Sequence, residues 1–396
     1  MPRPFRRLVL YVPGFDPMPP RRYRELYRRE SRKQALICGY DLAMERQGGA
    51  AGFGWATRAR FPEGEAQARV EVLVWSDLVQ ASMQGGILAT YRQVLSVAWT
   101  YVRSGALWRL MRLRRGPVLA ALYPPAMLLL QLACALLAAV LAGWGIAALT
   151  GAAWLGAVCG LATAWAVLVL ARSQDHRLFA HYLMQDYAFT ASLHGAYPPQ
   201  LEDRLARFTD RLSDAMSQDW DEVLVVGHSS GAYLAVSVLA DVIRQGVAPN
   251  GPALSLLTLG HVVPMASFLP RAQRLRADLA FLAEQPHLFW LDVTAPGDPC
   301  SFALCDPVAV TGVAGPDQRW PLVLSAAFTR TLSPEQQRVL RWRWFRLHLQ
   351  YLCAFDRPGD YDYFAITAGP RRLACRFGDR KSSPGRIATP AGPGLP

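Results

Sequence analysis

Lysine is almost missing from this 396-residue chain: Lys33 and Lys381 are the only two, so a formal net charge of +12 rests almost wholly on arginine. Charged residues of both signs make up only 18% of the chain against 52% hydrophobic. That balance is too oily for an average soluble protein and too mixed for a pure membrane bundle, but it fits a soluble domain that carries membrane segments. The arginines form no basic stripe interleaved with aromatics, and no zinc-finger or helix-turn-helix pattern is present. A nucleic-acid partner is therefore not expected, and anionic lipid head groups account for the charge more economically.

Paired cysteine spacings are also lacking. Cys38, Cys134, Cys159, Cys300, Cys305, Cys353 and Cys375 are scattered and odd in number, which excludes a disulfide framework or a zinc site and reads as reduced thiols in a cytoplasmic setting. Near the N-terminus the apolar run Leu8 to Val12 is too short for a signal-peptide core and has no small-residue cleavage site, so export by that route is not expected.

The longest absence is of charge. From Pro117 to Ala171 there is no Asp, Glu, Lys, Arg or His, and a bilayer core needs about 20 apolar residues per helix, so this stretch suits two spans. Gly143, Gly145, Thr150 and Gly151 punctuate its middle, predicting helices over about 126–149 and 152–171 with a tight turn between them. Arg109, Arg112, Arg114 and Arg115 precede the pair, and Arg172 and Arg177 follow it. The positive-inside rule then places both long flanks in the cytoplasm. A pair of helices buried inside a soluble domain is the competing explanation, since such helices are also apolar all round.

Around this hairpin the pattern alternates. Strands are predicted over 7–12, 53–61, 68–75, 221–226, 254–259 and 287–294, with helices over 21–46, 201–216 and 231–243. Alternation of this kind implies an α/β fold whose mainly parallel sheet has helices on both faces. The expected organisation is residues 1–116 and 172–369 as two parts of one domain, 117–171 as the hairpin, and 370–396 as a disordered tail rich in Pro, Gly, Ser and Arg. The carboxylates of Asp356, Asp360 and Asp362 lack the full spacing of a calcium loop and read as a solvated turn.

One segment carries chemistry. Val223 to Val226 runs into Gly227-His228-Ser229-Ser230-Gly231, and Ala232 to Val236 continues as a helix. A serine in a strand–turn–helix flanked by small residues is the signature of a nucleophile elbow, with the hydroxyl of Ser229 held out at the helix N-terminus. There the helix dipole and free N–H groups favour a developing oxyanion.

A serine needs a base, and the base needs an acid, in the chain order Ser, acid, His. Asp298, in the loop beyond the strand ending at Thr294, is the preferred acid; Asp292 within that strand is the alternative and Asp306 a weaker third. His348 alone among the seven histidines lies after Asp298 and is the expected base. The N–H of Ser230 and that of Phe15, reached through Gly14 in the turn after the first strand, are the expected oxyanion donors; a plain Pro13-Gly14 turn is the competing reading.

Taken together, Tyr11-Val12-Pro13-Gly14-Phe15, the elbow, Asp298 and His348 resemble the α/β-hydrolase superfamily. The inserted hairpin resembles a group of uncharacterised bacterial membrane-associated members. Pro13-Gly14 stands where the family usually has His-Gly. The resemblance implies a serine hydrolase of the esterase or lipase kind at a bacterial cytoplasmic membrane, with its catalytic domain on the cytoplasmic side. An anchor that concentrates the enzyme at the bilayer points to a lipid-derived or apolar ester, and no metal or organic cofactor is expected. A membrane adaptor that kept the fold but not the chemistry is the rival from another class. A hairpin serving transport is disfavoured by its lack of intramembrane charge.

Overall fold

In a computed structural model of the chain, residues 3–45, 52–246 and 251–392 are described. β1 (Phe5–Val12) sets the plan. Its Leu8, Leu10 and Val12 enter one hydrophobic core while Val9 and Tyr11 enter another, the two-residue period of a strand covered on both faces. Helix α1 (Arg21–Cys38) follows and stops at Gly39, whose φ of 73° is left-handed. Glycine takes that conformation without a Cβ penalty, so the helix expected to reach Arg46 ends here. The chain turns instead into β2 (Asp41–Glu45); Arg46 lies outside the described residues. β3 (Phe53–Phe61) and β4 (Gly64–Val72) pair antiparallel.

Between β4 and the elbow strand the chain leaves the sheet for a long helical excursion. It comprises α2 (Ser76–Ser82), α3 (Ile87–Arg103), α4 (Ala106–Met111), α5 (Arg115–Thr150), α6 (Ala153–Ser173), α7 (Asp175–Leu178), α8 (Ala180–Ala191) and α9 (Pro199–Met216). The apolar pair is thus embedded in a larger set of helices, of which α3 and α8 left no clear mark in the sequence pattern.

The second half restores the alternation with β5 (Glu222–His228), α10 (Gly231–Arg244), β6 (Ala253–Leu259), α11 (Val263–Ser267), α12 (Gln273–Ala283), β7 (Leu288–Thr294), α13 (Pro307–Thr311) and β8 (Leu322–Ser325). Short helices close the chain: α14 (Phe328–Thr331), α15 (Pro334–Leu340), α16 (Trp344–His348), α17 (Tyr363–Ala368) and α18 (Leu373–Phe377). The result is an α/β protein with one mixed eight-stranded sheet in the order β2-β3-β4-β1-β5-β6-β7-β8. The β2–β3 and β3–β4 pairs are antiparallel, and β4–β1, β1–β5, β5–β6, β6–β7 and β7–β8 are parallel. Apolar side chains of α9, α10 and α12 join the core on one face, while those of α1 and α17 join the core on the other.

α5 and α6 are long and apolar enough to cross a membrane, with mean hydropathy of 2.3 and 2.0, and only 17% and 11% of their most apolar windows is buried in the protein. Such exposure argues against the buried-pair explanation. The two helices touch through small residues: a Cβ on Gly143 would meet the Gly156 carbonyl at 2.9 Å, and one on Gly160 the Ala139 carbonyl at 2.8 Å. Backbones that approach this closely gain dispersion contacts that lipid cannot supply. α5 has 36 residues, a length of about 54 Å, and it starts well before the expected first span. Its lower part, around Pro117 to Leu128, is packed on the protein. Pro124 frees the Ala120 carbonyl, which the Tyr187 hydroxyl of α8 reaches at 3.5 Å. Tyr123 ties the same segment to the Leu178 carbonyl at 2.7 Å.

The segment from Pro370 to Gly392, expected as a disordered tail, is instead docked. Its anchor is a fully buried ion pair between Arg7 and Glu222 at 2.6 Å. The remaining groups of that pair are satisfied by the Gly369 and Arg371 carbonyls, the Leu373 N–H and the Ser255 hydroxyl. A buried pair is tolerable only with such full hydrogen bonding, so the sheet needs this stretch of chain. Further on, Ser383 donates its N–H to Val323 and Ile387 donates to Leu304. Residues 393–396 lie outside the described residues.

Candidate active site

Ser229 ends the strand-to-helix turn with φ of 56°. A left-handed conformation at a non-glycine residue stores strain that the surrounding structure must hold. Two glycines permit it. A Cβ on Gly227 would lie 2.6 Å from the Gly231 carbonyl, and one on Gly231 would drive into the Val12 and Pro13 carbonyls, the latter at 2.5 Å. The loop after β1 therefore lies directly on the elbow. Within it, Gly14 abuts the Ser229 side chain, where a Cβ would meet the serine Cβ at 3.0 Å.

That loop is held from two sides. Trp75 Nε1 donates to the Pro13 carbonyl at 2.9 Å, and the Tyr182 hydroxyl donates to the Phe15 carbonyl. Phe15 packs its ring on Trp75, Tyr182 and Phe189. The N–H groups of Phe15 and Ser230 have no hydrogen-bond partner among the described residues, leaving two donors beside the serine.

His348 ends α16 and Asp298 lies in the loop after β7, 50 positions earlier in the sequence. The structure brings them together: Nδ1 of His348 meets Oδ2 of Asp298 at 2.8 Å, with both side chains buried. An Nδ1–H donated to the carboxylate leaves Nε2 with a lone pair. Nε2 is buried without a partner among the described residues, and His348 and Ser229 line the same cavity. No hydrogen bond joins them in this structure; such bonds commonly tighten only when substrate is present.

Burial alone would raise the Asp298 carboxyl, but the charge and hydrogen bond of His348, with the Cys300 N–H, hold it below its ordinary value. The Cys300 N–H meets Oδ1 at 2.9 Å, and the Tyr351 hydroxyl donates to Oδ2 at 3.0 Å while accepting the Ala295 N–H at 2.9 Å. Tyr351 is fully buried on the 3₁₀ turn Leu349–Leu352, directly after His348. Sequence reasoning did not find it, because nothing local marks a tyrosine whose partner is 53 positions away. For the ester hydrolysis expected from the sequence, Tyr351→Phe should lower kcat about 10-fold with KM nearly unchanged, because one charge-assisted bond to Asp298 is lost. Steady-state kinetics on purified protein reads the split between the two constants.

The other candidates are engaged elsewhere. Asp292 accepts from the Thr258 hydroxyl at 2.6 Å, and burial raises its pKa well above the usual carboxylate range. Asp306 caps α13, accepting the Val308 and Ala309 N–H groups, and pairs with Arg386. His228, inside the motif, is pushed down to about 3 by burial and gives its Nε2–H to the His348 carbonyl at 3.0 Å. It is a neutral prop for the His348 backbone. Asp362 caps α17 and Asp360 pairs with Arg380, so the late carboxylate cluster does structural work. All seven cysteines are unbridged.

Above Ser229 opens a cavity of about 520 Å³. Its walls come from the excursion as much as from the sheet domain: Pro117, Ala120 and Tyr123 of α5, Tyr182 and Asp186 of α8, Tyr101 of α3, with Trp344 and Phe345 of α16 opposite. The base of the first apolar helix is thus part of the pocket. No protein-family model, curated protein or solved structure matches this chain. Its chemistry therefore has to be argued from the geometry of this site.

Proposed function

We propose that this protein is a membrane-anchored serine hydrolase of the α/β-hydrolase type that cleaves apolar or lipid-derived esters. The observation that carries the reading is Ser229, strained at the elbow, opening into the same cavity as the buried His348–Asp298 pair.

In this mechanism Nε2 of His348 takes the hydroxyl proton as Ser229 attacks the ester carbonyl, and Asp298 holds the imidazole and balances its positive charge. The carbonyl π electrons move onto oxygen, where the N–H groups of Phe15 and Ser230 stabilise them. Collapse breaks the bond to the alkoxy oxygen, which leaves with the proton from His348. Water, deprotonated by the same nitrogen, then releases the acid and restores Ser229.

Membrane attachment is supported by the length, apolarity and exposure of α5 and α6. Arginines at their lower ends favour a cytoplasmic position for the catalytic domain. An apolar ester is favoured by the aromatic and aliphatic cavity wall and by its contact with α5.

The test is a fluorophosphonate probe on the full chain in detergent. Wild type should label and Ser229→Ala should not. Folded wild type that fails to label would sink the hydrolase reading and favour the adaptor.

A further inference from the structure

One group at the site has no role in the mechanism above. Asp186 of α8 lines the same cavity as Ser229 and His348 and has no ion-pair partner among the described residues. We infer that the ester cleaved at Ser229 carries a proton-donating group, a hydroxyl or an ammonium, close to its scissile carbonyl, and that the Asp186 carboxylate receives it. This inference rests on the hydrolase reading.

Among the described residues Asp186 has one hydrogen-bonding partner, the Ser230 hydroxyl, and no cation paired with its charge. Tyr101 of α3, Tyr182 and Tyr187 of α8 and Tyr233 of α10 lie within electrostatic range and are kept neutral by burial, and the first three give their hydroxyls to the Met265, Phe15 and Ala120 carbonyls. Of the two cations that line the cavity, Arg22 is bonded to Asp16 at 3.1 Å, and Arg346 makes no ion pair with Asp186. Burial pushes the Asp186 carboxyl up to about 7, and only the His348 charge and the Ser230 hydroxyl pull it back.

A carboxylate in a cavity wall with one hydroxyl donor and no paired cation costs the fold free energy. Such groups in a cleft are kept where a ligand completes them. In the proposed mechanism the N–H of Ser230 binds the oxyanion while its hydroxyl bonds Asp186, so a ligand group received by Asp186 would sit near the scissile carbonyl. A site that hydrogen-bonds a substrate group discriminates strongly against the analogue lacking it.

The test uses full-length protein in detergent and matched butanoate esters: ethyl, 2-hydroxyethyl and 2-aminoethyl, together with ethyl 3-hydroxybutanoate. Wild type should prefer at least one substituted ester over ethyl butanoate by about 10- to 100-fold in kcat/KM. Asp186→Ala should lower that ratio by about 10-fold or more. Asp186→Asn separates the two donors. It still accepts from a hydroxyl and keeps most of that preference, but it loses the preference for the ammonium.

For the 2-aminoethyl ester the wild-type preference should also fall as pH drops below about 7, because Asp186 then takes a proton. Protein that labels with fluorophosphonate yet treats the whole panel alike, or whose preference survives in Asp186→Ala, overturns this assignment alone. Protein that neither labels nor hydrolyses overturns the hydrolase reading with it.

Discussion

Asp298→Asn is expected to lower kcat for ester hydrolysis about 10⁴-fold while leaving the protein folded. The reason lies in what surrounds the carboxylate. Its two oxygens accept only: from Cys300 N–H at Oδ1, and from His348 Nδ1 and the Tyr351 hydroxyl at Oδ2. An asparagine must put its NH₂ against one of these donors. Facing the Cys300 N–H would leave two donors head to head with no rotation to relieve them. Facing His348 is cheaper, because the ring can move its proton to Nε2 and accept at Nδ1. That tautomer cannot take a proton from Ser229. Steady-state kinetics beside a circular dichroism spectrum checks the prediction. A loss below about tenfold with an intact spectrum would mean that Asp298 does not orient the base.

The second large effect is on stability. Gly231→Ala is expected to destabilise the protein by about 3 kcal/mol or more, at the upper end of the cost of overpacking. A Cβ there meets two backbone carbonyls, those of Val12 and Pro13. The Val12 backbone is fixed by strand pairing and the Pro13 carbonyl is held by Trp75, so neither can step aside as a flexible side chain would. Gly297, next to Asp298, is the control: its Cβ would meet only Phe328 Cβ at 3.8 Å, an ordinary contact. Denaturant unfolding of both variants in one detergent reads the difference, and equal midpoints would show that the β1 loop does not rest on the elbow as described.

Gly231 and its counterpart Gly227 also show why some of the site could be read from sequence. The elbow is local: a strand, a tight turn and a helix within fifteen residues, each needing small residues at fixed offsets, so Gly227, Ser229 and Gly231 announce themselves. Asp298 and His348 could be named from chain order once the serine was fixed, and their 2.8 Å contact joins the two residues that order picked out.

What stayed hidden depends on tertiary contacts. Tyr351, Trp75 and Asp186 are ordinary residues until the fold brings them to the loop, the acid or the cavity. α5 begins well before the expected start near Ala126 because its N-terminal turns pack on the protein, where the Tyr187 hydroxyl of α8 reaches the Ala120 carbonyl that Pro124 leaves open. Composition misled for 370–392 because low complexity says nothing of a buried Arg7–Glu222 pair waiting for the carbonyls of Gly369 and Arg371.

The course of α5 has a mechanical side. One unbroken helix begins as a wall of the cavity at Pro117 and ends at Thr150, far outside the protein core. A rod shared in this way acts as a lever: tilt imposed on its outer part is transmitted to the wall at its root. Helices adjust their tilt to the thickness of the bilayer they cross. For a chain anchored by α5, the lipid environment is thus a coordinate of the pocket's shape.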